Sequence, residues 1–461
     1  MGTRPRMILA TLSETRQDYR SQREPLAIAE RAALGWLRGS VDVTESEIIT
    51  SPAQIQRLVA AVGNAVHHVL AVHIPVWTEP ILTVRLAQSF PLPLVLLGNS
   101  RPDTSSMVGM LGAGGALDQI GRPHLRVFDH SLEETRRQVI ALGRAAHTLR
   151  TLRGQTLGLF GGRSLGMLTA TVDPAEWQSL FGVDIEPNEQ AEIVELAKRL
   201  PDEEVARHLR WMTAHLGSVR FGGAFTQEGL ERQVRSYLAV RRLAQQKGYD
   251  FIGVKCQPEL SDGYASQCVA HMLCNGNLDA DGHQEVLVHA CEADADGALT
   301  MQILHLLSAG GIVALLDVRW LDRERGVWTL ANCGAMPAAF APGSENATSL
   351  AGVSMVPHIF GTGGGGALPF VAAPRPVTLA RLCRRSGRYW MAVLPGEVEA
   401  RDPRDLAITT GAFPQAFVRT RAGSDFLQAF GSNHLHMVAG DLVSELRALC
   451  QLSGIECQVW T

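Results

Sequence analysis

Positive charge is thinly spread in this chain. Its 461 residues hold 42 Lys and Arg against 46 Asp and Glu, for a formal net charge of −4, and the basic residues are scattered. A nucleic-acid footprint needs clustered positive charge, so no nucleic-acid partner is expected. Aromatic residues are sparse at 6 %, with no basic–aromatic interleaving to make a base-stacking face. No apolar run approaches the ~18 residues of a membrane span, and the apolar stretch in MGTRPRMILATLS is too short for a signal peptide. Arg6 stands where the myristoylation pattern wants Ser or Thr. The eight cysteines show no CxxC spacing and no regular framework. Reduced, buried thiols are the expectation, with Cys256, Cys268, Cys274 and Cys291 in or near the core. GxSxG, HExxH and the P-loop lysine motif are missing too. Together these absences describe a soluble, cytoplasmic protein with no membrane partner.

What is present is apolar material, 46 % of the residues, in a chain too long for one ordinary core. Residues 7–150 alternate short apolar runs (Met7–Leu12, Ile48–Ile49, Val69–Ile74, Leu94–Leu97) with helical stretches near 23–37 and 52–64. That rhythm predicts a parallel α/β layer. A second unit opens at Gly154 with TLGLFGGRSLGM, continues through helices near 188–216 and 226–247, and reaches the strand Phe251–Cys256. After Pro342 helical periodicity fades into Gly, Pro, Val and Thr, and one helix returns at Asp441–Leu452 with Asp441 as N-cap. The predicted fold is α/β, with two parallel-sheet α/β domains (1–153 and 154–342) followed by a smaller β-rich C-terminal domain (343–461).

The segment Gln284–Asp317 is the most informative. An apolar run ends in Glu292, a helix follows with Leu299, Ile303, Leu306 and Leu307 on one face, Gly310-Gly311 stops it, and a second apolar run ends in Asp317. This pattern predicts a βαβ unit with parallel strands, both acids projecting from the carboxyl edge where open α/β sheets bind ligands. Gly161–Arg163, Lys255–Gln257, Glu292 and Asp317 are then four strand ends at one edge. Two carboxylates there suggest a metal site, an acid/base pair, or both. An imidazole from FGSNHLHMVAGD, His434 or His436, is the natural third ligand, and such a set suits Mn²⁺ or a similar divalent cation better than structural Zn²⁺. GTGGGG at 361–366 matches GxGxxG, but Pro369, Pro374 and Pro376 forbid the helix that a dinucleotide site needs. A loop is the better reading. LGAGGAL at 111–117 reads either as a helix opening that offers amides to a substrate oxygen or as a plain tight turn.

CEADADGALTMQIL with LLDVRWLD, then LANCGAMP, VTLARL, FGGRSLGM and the closing GSNH, resembles the L-fucose isomerase family from about residue 90 onward. The resemblance implies an aldose–ketose isomerase with two α/β domains and a β-rich C-terminal domain. It implies a divalent metal, usually Mn²⁺, and a homo-trimer or homo-hexamer with sites between subunits. Carried over, the metal ligands are Glu292, Asp317 and His434. Met167, Gln257 and Asn433 match positions lining the sugar site, and Arg16 and Trp77 match two others. Asn332-Cys333-Gly334 stands where many relatives have HCG, which bears on the substrate more than on the reaction.

The chemistry that follows moves a proton between C2 and C1 through a cis-enediol, with Glu292 and Asp317 as acid/base pair, their order open. L-fucose, D-arabinose or another 6-deoxy or modified aldose is the substrate range. An anionic, sulfonated hexose belongs to it because Arg16, Arg101 and Arg163 fall near the site loops, although Arg163 equally serves to fix its own turn. Two other readings stand beside this one. The first is a metal-dependent aldolase or hydrolase using the same carboxylates; the second is a non-catalytic sugar-binding protein on the same scaffold.

Overall fold

A computed structural model describes residues 4–129, 131–343 and 350–461. The chain divides into two compact units, residues 1–151 with 444–452, and residues 152–443 with 453–461.

The first unit is built on five parallel strands: β1 (Arg6–Thr11), β2 (Asp42–Glu45), β3 (Val69–His73), β4 (Leu94–Leu97) and β5 (Leu125–Val127), in the order β2-β1-β3-β4-β5. Every residue of β3 and β4 is buried, as the near-continuous apolar runs of a two-sided sheet require. Strand periodicity sends alternate side chains to two separate cores. Ile8, Leu70, Val72 and Leu96 meet the helices Pro52–Val62, Pro80–Ser89 and Ser106–Gln119 on one face. Met7, Leu9, Ala71 and Val95 meet Leu34, Leu37, Val139 and Leu142 on the other. The neighbouring pair β1 and β3 lies where the strand order reverses, and there a doubly wound sheet opens its crevice. LGAGGAL is neither of its two sequence readings. It lies inside the helix Ser106–Gln119, so its amides are bonded within the helix.

The second unit contains a parallel sheet and a barrel. The sheet comprises β6 (Thr156–Phe160), β7 (Asp184–Asn188), β8 (Phe251–Val254) and β9 (His289–Cys291), in the order β9-β8-β6-β7. The barrel strands are β10 (Val313–Asp322), β11 (Val327–Ala331), β12 (Arg375–Arg385), β13 (Arg388–Val398), β14 (Gln415–Thr420) and β15 (His434–Ala439). Each pairs antiparallel with its neighbour in the order β12-β15-β10-β11-β14-β13, and β12 pairs back on β13 to close the circle. A last strand, β16 (Glu456–Val459), adds parallel to β13.

The βαβ reading of Gln284–Asp317 is therefore corrected. Its helix exists, at Ala295–Leu307, but β9 belongs to the parallel sheet and β10 to the barrel. β10 also runs five residues beyond Asp317, which is a mid-strand residue rather than a strand end. The misreading has a physical source. Val313–Leu316 is buried, as a two-sided parallel strand would be, but its cover comes from the helix and the barrel interior. One buried face is the sequence expectation for this helix; instead Ala295 through Leu304 are all buried, because it packs against strands of both the parallel sheet and the barrel. Residues 361–365 form a loop packed on Ser261 and Ala224, and Gly366 opens a two-residue strand rather than a helix. No helix among the described residues is long and apolar enough to cross a membrane.

Candidate active site

Three of the four predicted strand ends are neighbours. Gly161–Arg163 follow β6, Lys255–Gln257 follow β8 and Glu292 follows β9, all at the carboxyl edge of one parallel sheet. Asp317 and His434 arrive from the barrel. They face each other directly across the β10–β15 ladder, and side chains so paired share one face, with Cβ atoms about 5 Å apart. His436 pairs with Leu315, one alternation farther along, and its Nδ1 meets the Ala380 carbonyl at 3.2 Å. Only His434 is brought to the two acids.

The centre of the arrangement is the His434 Nε2 atom, 3.6 Å from Glu292 Oε2 and 3.5 Å from Asp317 Oδ1. Its Nδ1 lies 2.6 Å from Asp294 Oδ2. Asp294 is held in turn by Arg381, whose Nη1 pairs with Oδ2 and whose Nη2 donates to Oδ1 at 2.9 Å. Both members of that ion pair are buried, and Arg381 Nη2 also donates to the Thr169 carbonyl at 2.8 Å. Asp294 further caps the helix Ala295–Leu307 by accepting the Gly297 N–H at 2.9 Å.

Electrostatics favour positive charge here. Burial disfavours a charged His434, but the Asp294 hydrogen bond and the charges of Asp294, Asp317 and Glu292 raise its pKa above the usual imidazole value. Burial alone would raise Asp294; Arg381 and His434 overrule it and hold that carboxyl well below the carboxylate range. Glu292 goes the other way, raised by burial and by Asp317 against the pull of His434. Two carboxylates converging on an imidazole nitrogen, whose other nitrogen is fixed by a third carboxylate, fit a divalent cation taken up through oxygen and nitrogen donors.

The remaining expected residues divide between the two units. Gln257 Nε2 is 3.7 Å from Cys333 Sγ, and that thiol is 3.6 Å from Glu292 Oε1. Asn433 Nδ2 donates to Asp317 Oδ1 at 3.2 Å. Met167 lies in the loop after β6, which is tied to the Gln257 carbonyl through Ser164 and to Arg381 through Thr169. Arg163 is exposed in the same loop. Arg16 and Trp77 belong to the first unit, in the loops after β1 and β3 that flank its crevice. Arg16 is paired with Glu14 at 2.9 Å, and Arg101 with Glu30 and Asp103.

Sequence reasoning missed Arg381 and the orienting role of Asp294, which it read as a cap alone. It also missed Arg319, the extra residue of a bulge between Val318 and Trp320, whose Nη2 donates to Asp317 Oδ2 at 3.0 Å. Asn332 shapes the backbone nearby. Its carbonyl and Oδ1 accept the Gly334 and Ala335 amides, a turn that carries Cys333 to Glu292.

The chain is similar to several known proteins. The chain is 23 % identical over 456 residues to a sulfoquinovose isomerase of Priestia aryabhattai, covering 95 % of this chain and 96 % of that one. It is 21 % identical over 256 residues to a sulfoquinovose isomerase of Alkalicoccus urumqiensis, covering 53 % of this chain and 55 % of that one. An L-fucose isomerase of Bacteroides thetaiotaomicron is 24 % identical over 252 residues, 46 % of this chain and 42 % of its own. Residues 330–461 match the family described as L-fucose isomerase, C-terminal domain. Residues 330–461 are thus similar to the L-fucose isomerase C-terminal domain, and the chain as a whole is distantly similar to proteins named sulfoquinovose isomerase and L-fucose isomerase.

Proposed function

We propose that this protein is a metal-dependent aldose–ketose isomerase acting on a fucose-like or sulfonated hexose. The observation that carries the reading is the convergence of Glu292 and Asp317 on His434 Nε2, at 3.6 and 3.5 Å, behind a buried Asp294–Arg381 pair. Glu292, Asp317 and His434 would hold the cation, with Mn²⁺ the expected ion. Such a cation, when bound, polarises the sugar carbonyl and steadies negative charge on its oxygens.

The chain's own groups carry the protons. Glu292 removes the C2 proton to give a cis-enediol and returns it at C1. Its raised pKa suits a base that must also release the proton. Its Oε2 faces His434 while Oε1 meets, among the described residues, the Cys333 thiol at 3.6 Å, so one oxygen is left for this work. Asp317 has no such spare oxygen, because Asn433 engages one and Arg319 the other. The second lone pair on Oδ2 still lets it handle the proton that passes between O1 and O2. Gln257, Asn433 and Met167 line the sugar position, and Arg163 at the loop after β6 is the available cation for an anionic sugar, having no ion pair among the described residues. Arg16 and Trp77 are assigned to the same sugar site, in a homo-trimer or homo-hexamer with sites between subunits. In the first unit Met107, Val108 and Leu111 leave an apolar helix face exposed, which supports assembly. Light scattering of the protein in solution reads the copy number. All eight cysteines are thiols rather than disulfides, in keeping with a cytoplasmic setting.

The test is ketose formation from L-fucose, D-arabinose and sulfoquinovose, using protein stripped of metal and then given Mn²⁺. Turnover that needs Mn²⁺ and disappears in Glu292→Gln names the sugar and supports the assignment. Two smaller products in place of one ketose indicate cleavage and overturn it. Sugar binding without any product overturns it in favour of a non-catalytic protein.

A further inference from the structure

A second group of ligand-type side chains lies in the same unit, away from the residues described above. It joins the helix Asp202–His215 to a tight hairpin whose two-residue strands are Leu278–Asp279 and Gly282–His283. His208, Asp279 and Asp281 each present one donor atom there, all within 4.8 Å of one another.

The histidine is the informative member. His208 is 2 % exposed, and its Nδ1 sits 3.0 Å from the Glu204 carbonyl, one turn back on its own helix. A carbonyl only accepts, so Nδ1 carries a proton, and in the neutral ring Nε2 is the nitrogen with the lone pair. That Nε2 is buried with no hydrogen-bond partner. It faces Asp279 Oδ2 at 3.7 Å and Asp281 Oδ2 at 3.5 Å. Those separations are too long for hydrogen bonds. They are the spacing of donors around one ion, since ligands about 2.1 Å from a tetrahedral cation stand about 3.4 Å apart.

The acids are also held in place. Tyr237 donates its hydroxyl to Asp279 Oδ2 at 2.5 Å, and Asp279 Oδ1 accepts the Asp281 N–H at 2.8 Å. Asp281 Oδ1 pairs with Arg207, which leaves Oδ2 turned to His208. An imidazole fixed through its other nitrogen, Asp281 fixed through its other oxygen and Asp279 fixed through both of its oxygens are the kind of orienting contacts that prepare metal ligands. A cavity of about 580 Å³, lined among others by Glu204, Asp279, Asp281, His283 and Gln284, opens beside them and gives a cation entry and room for water.

We propose that His208, Asp279 and Asp281 bind a divalent transition-metal ion of the Zn²⁺ type, separate from the Glu292 site, that clips the hairpin 278–283 to the helix 202–215. Its role is structural. An ion bound only by the folded chain raises the unfolding temperature, and the rise grows with the logarithm of the free ion concentration above its Kd.

The experiment measures Zn²⁺ per chain by equilibrium dialysis of metal-stripped, full-length protein, with melting curves beside it. Glu292→Gln serves as the background, so that the proposed catalytic centre does not obscure the count. Asp281→Asn is the first variant because that position is exposed and tolerates an amide; His208→Gln is the second. Glu292→Gln should retain one tight equivalent and melt higher with Zn²⁺, and adding either variant should remove both effects. Wild type binding one equivalent that Asp281→Asn removes and Glu292→Gln does not would support this site while counting against the catalytic one. Equal Zn²⁺ content in Glu292→Gln with and without Asp281→Asn overturns the proposal and leaves His208 as a protonated partner of two acids.

Discussion

Glu292 and Ala293 stand side by side in the left-handed region, at φ of 60° and 50°, and neither is glycine. Such residues cost about 1–3 kcal/mol each and persist only where their surroundings fix them. Here the fixing is visible. The Ala293 N–H donates to the Val254 carbonyl at 3.0 Å, and the Asp294 N–H to Cys291 at 3.2 Å. The strained turn points Glu292 toward His434 and frees Asp294 for cap, imidazole and Arg381 at once. If Glu292, Asp317 and His434 hold a cation as proposed, Asp294→Asn should weaken its binding about 10–100-fold by releasing the imidazole. It should also cost about 3–5 kcal/mol, because Arg381 is left buried without its charge partner. Metal titration and urea unfolding check the two parts; a variant that loses neither would reduce Asp294 to a helix cap. The sequence suggested Glu292, Asp317 and His434 as a metal set, the imidazole through the family resemblance. Arg381 was illegible, since it lies 87 residues from Asp294 and no local pattern links them.

At the scale of elements, strands and helices with strong periodicity were read well, and their partners were not. β1, β3, β4 and β6 lie where apolar runs placed them. The run at Val313–Leu316 gave no sign of its sheet, because burial on both faces looks the same whether helices or a barrel provide it. Glycines were ambiguous for a similar reason. Gly158, in the middle of β6, exists for Tyr249: a Cβ there would lie 2.2 Å from the ring, which is anchored by its hydroxyl to Asn188 at 2.9 Å. Gly158→Ala should therefore destabilise by about 1–3 kcal/mol. At Gly115, inside the helix Ser106–Gln119, an added Cβ would meet nothing within 4 Å. Gly115→Ala should stabilise by about 0.5–1 kcal/mol. Thermal melts of the two variants should move in opposite directions, and a shared direction would refute the packing account.

For the molecule as a whole, acid stability is tied to buried histidines. His68 accepts the Arg6 N–H on Nδ1 at 2.8 Å and contacts His147 at 3.2 Å, and burial, then the neighbouring His147, pushes it down to about 4. Its unfolded value is near 6.5. As pH falls from about 6.5 to about 4 the unfolded chain takes up a proton that the folded one refuses, so stability drops across that window and no further below it. Solvent screening limits the loss to about 1–2 kcal/mol. Urea midpoints at pH 7 and pH 4.5 should differ less in His68→Gln than in wild type; an equal difference would remove His68 from the account. The barrel carries a different lesson. The matched family segment begins at residue 330, but two of the six barrel staves, β10 and β11, lie almost wholly before it. A gene fragment cut at that boundary would encode an open sheet, β15-β12-β13-β14, with two bare edges that seek one another. The portable unit of heredity and the unit that folds are therefore different lengths of chain, and any recombination that moves this barrel has to carry the stretch from about residue 313 with it.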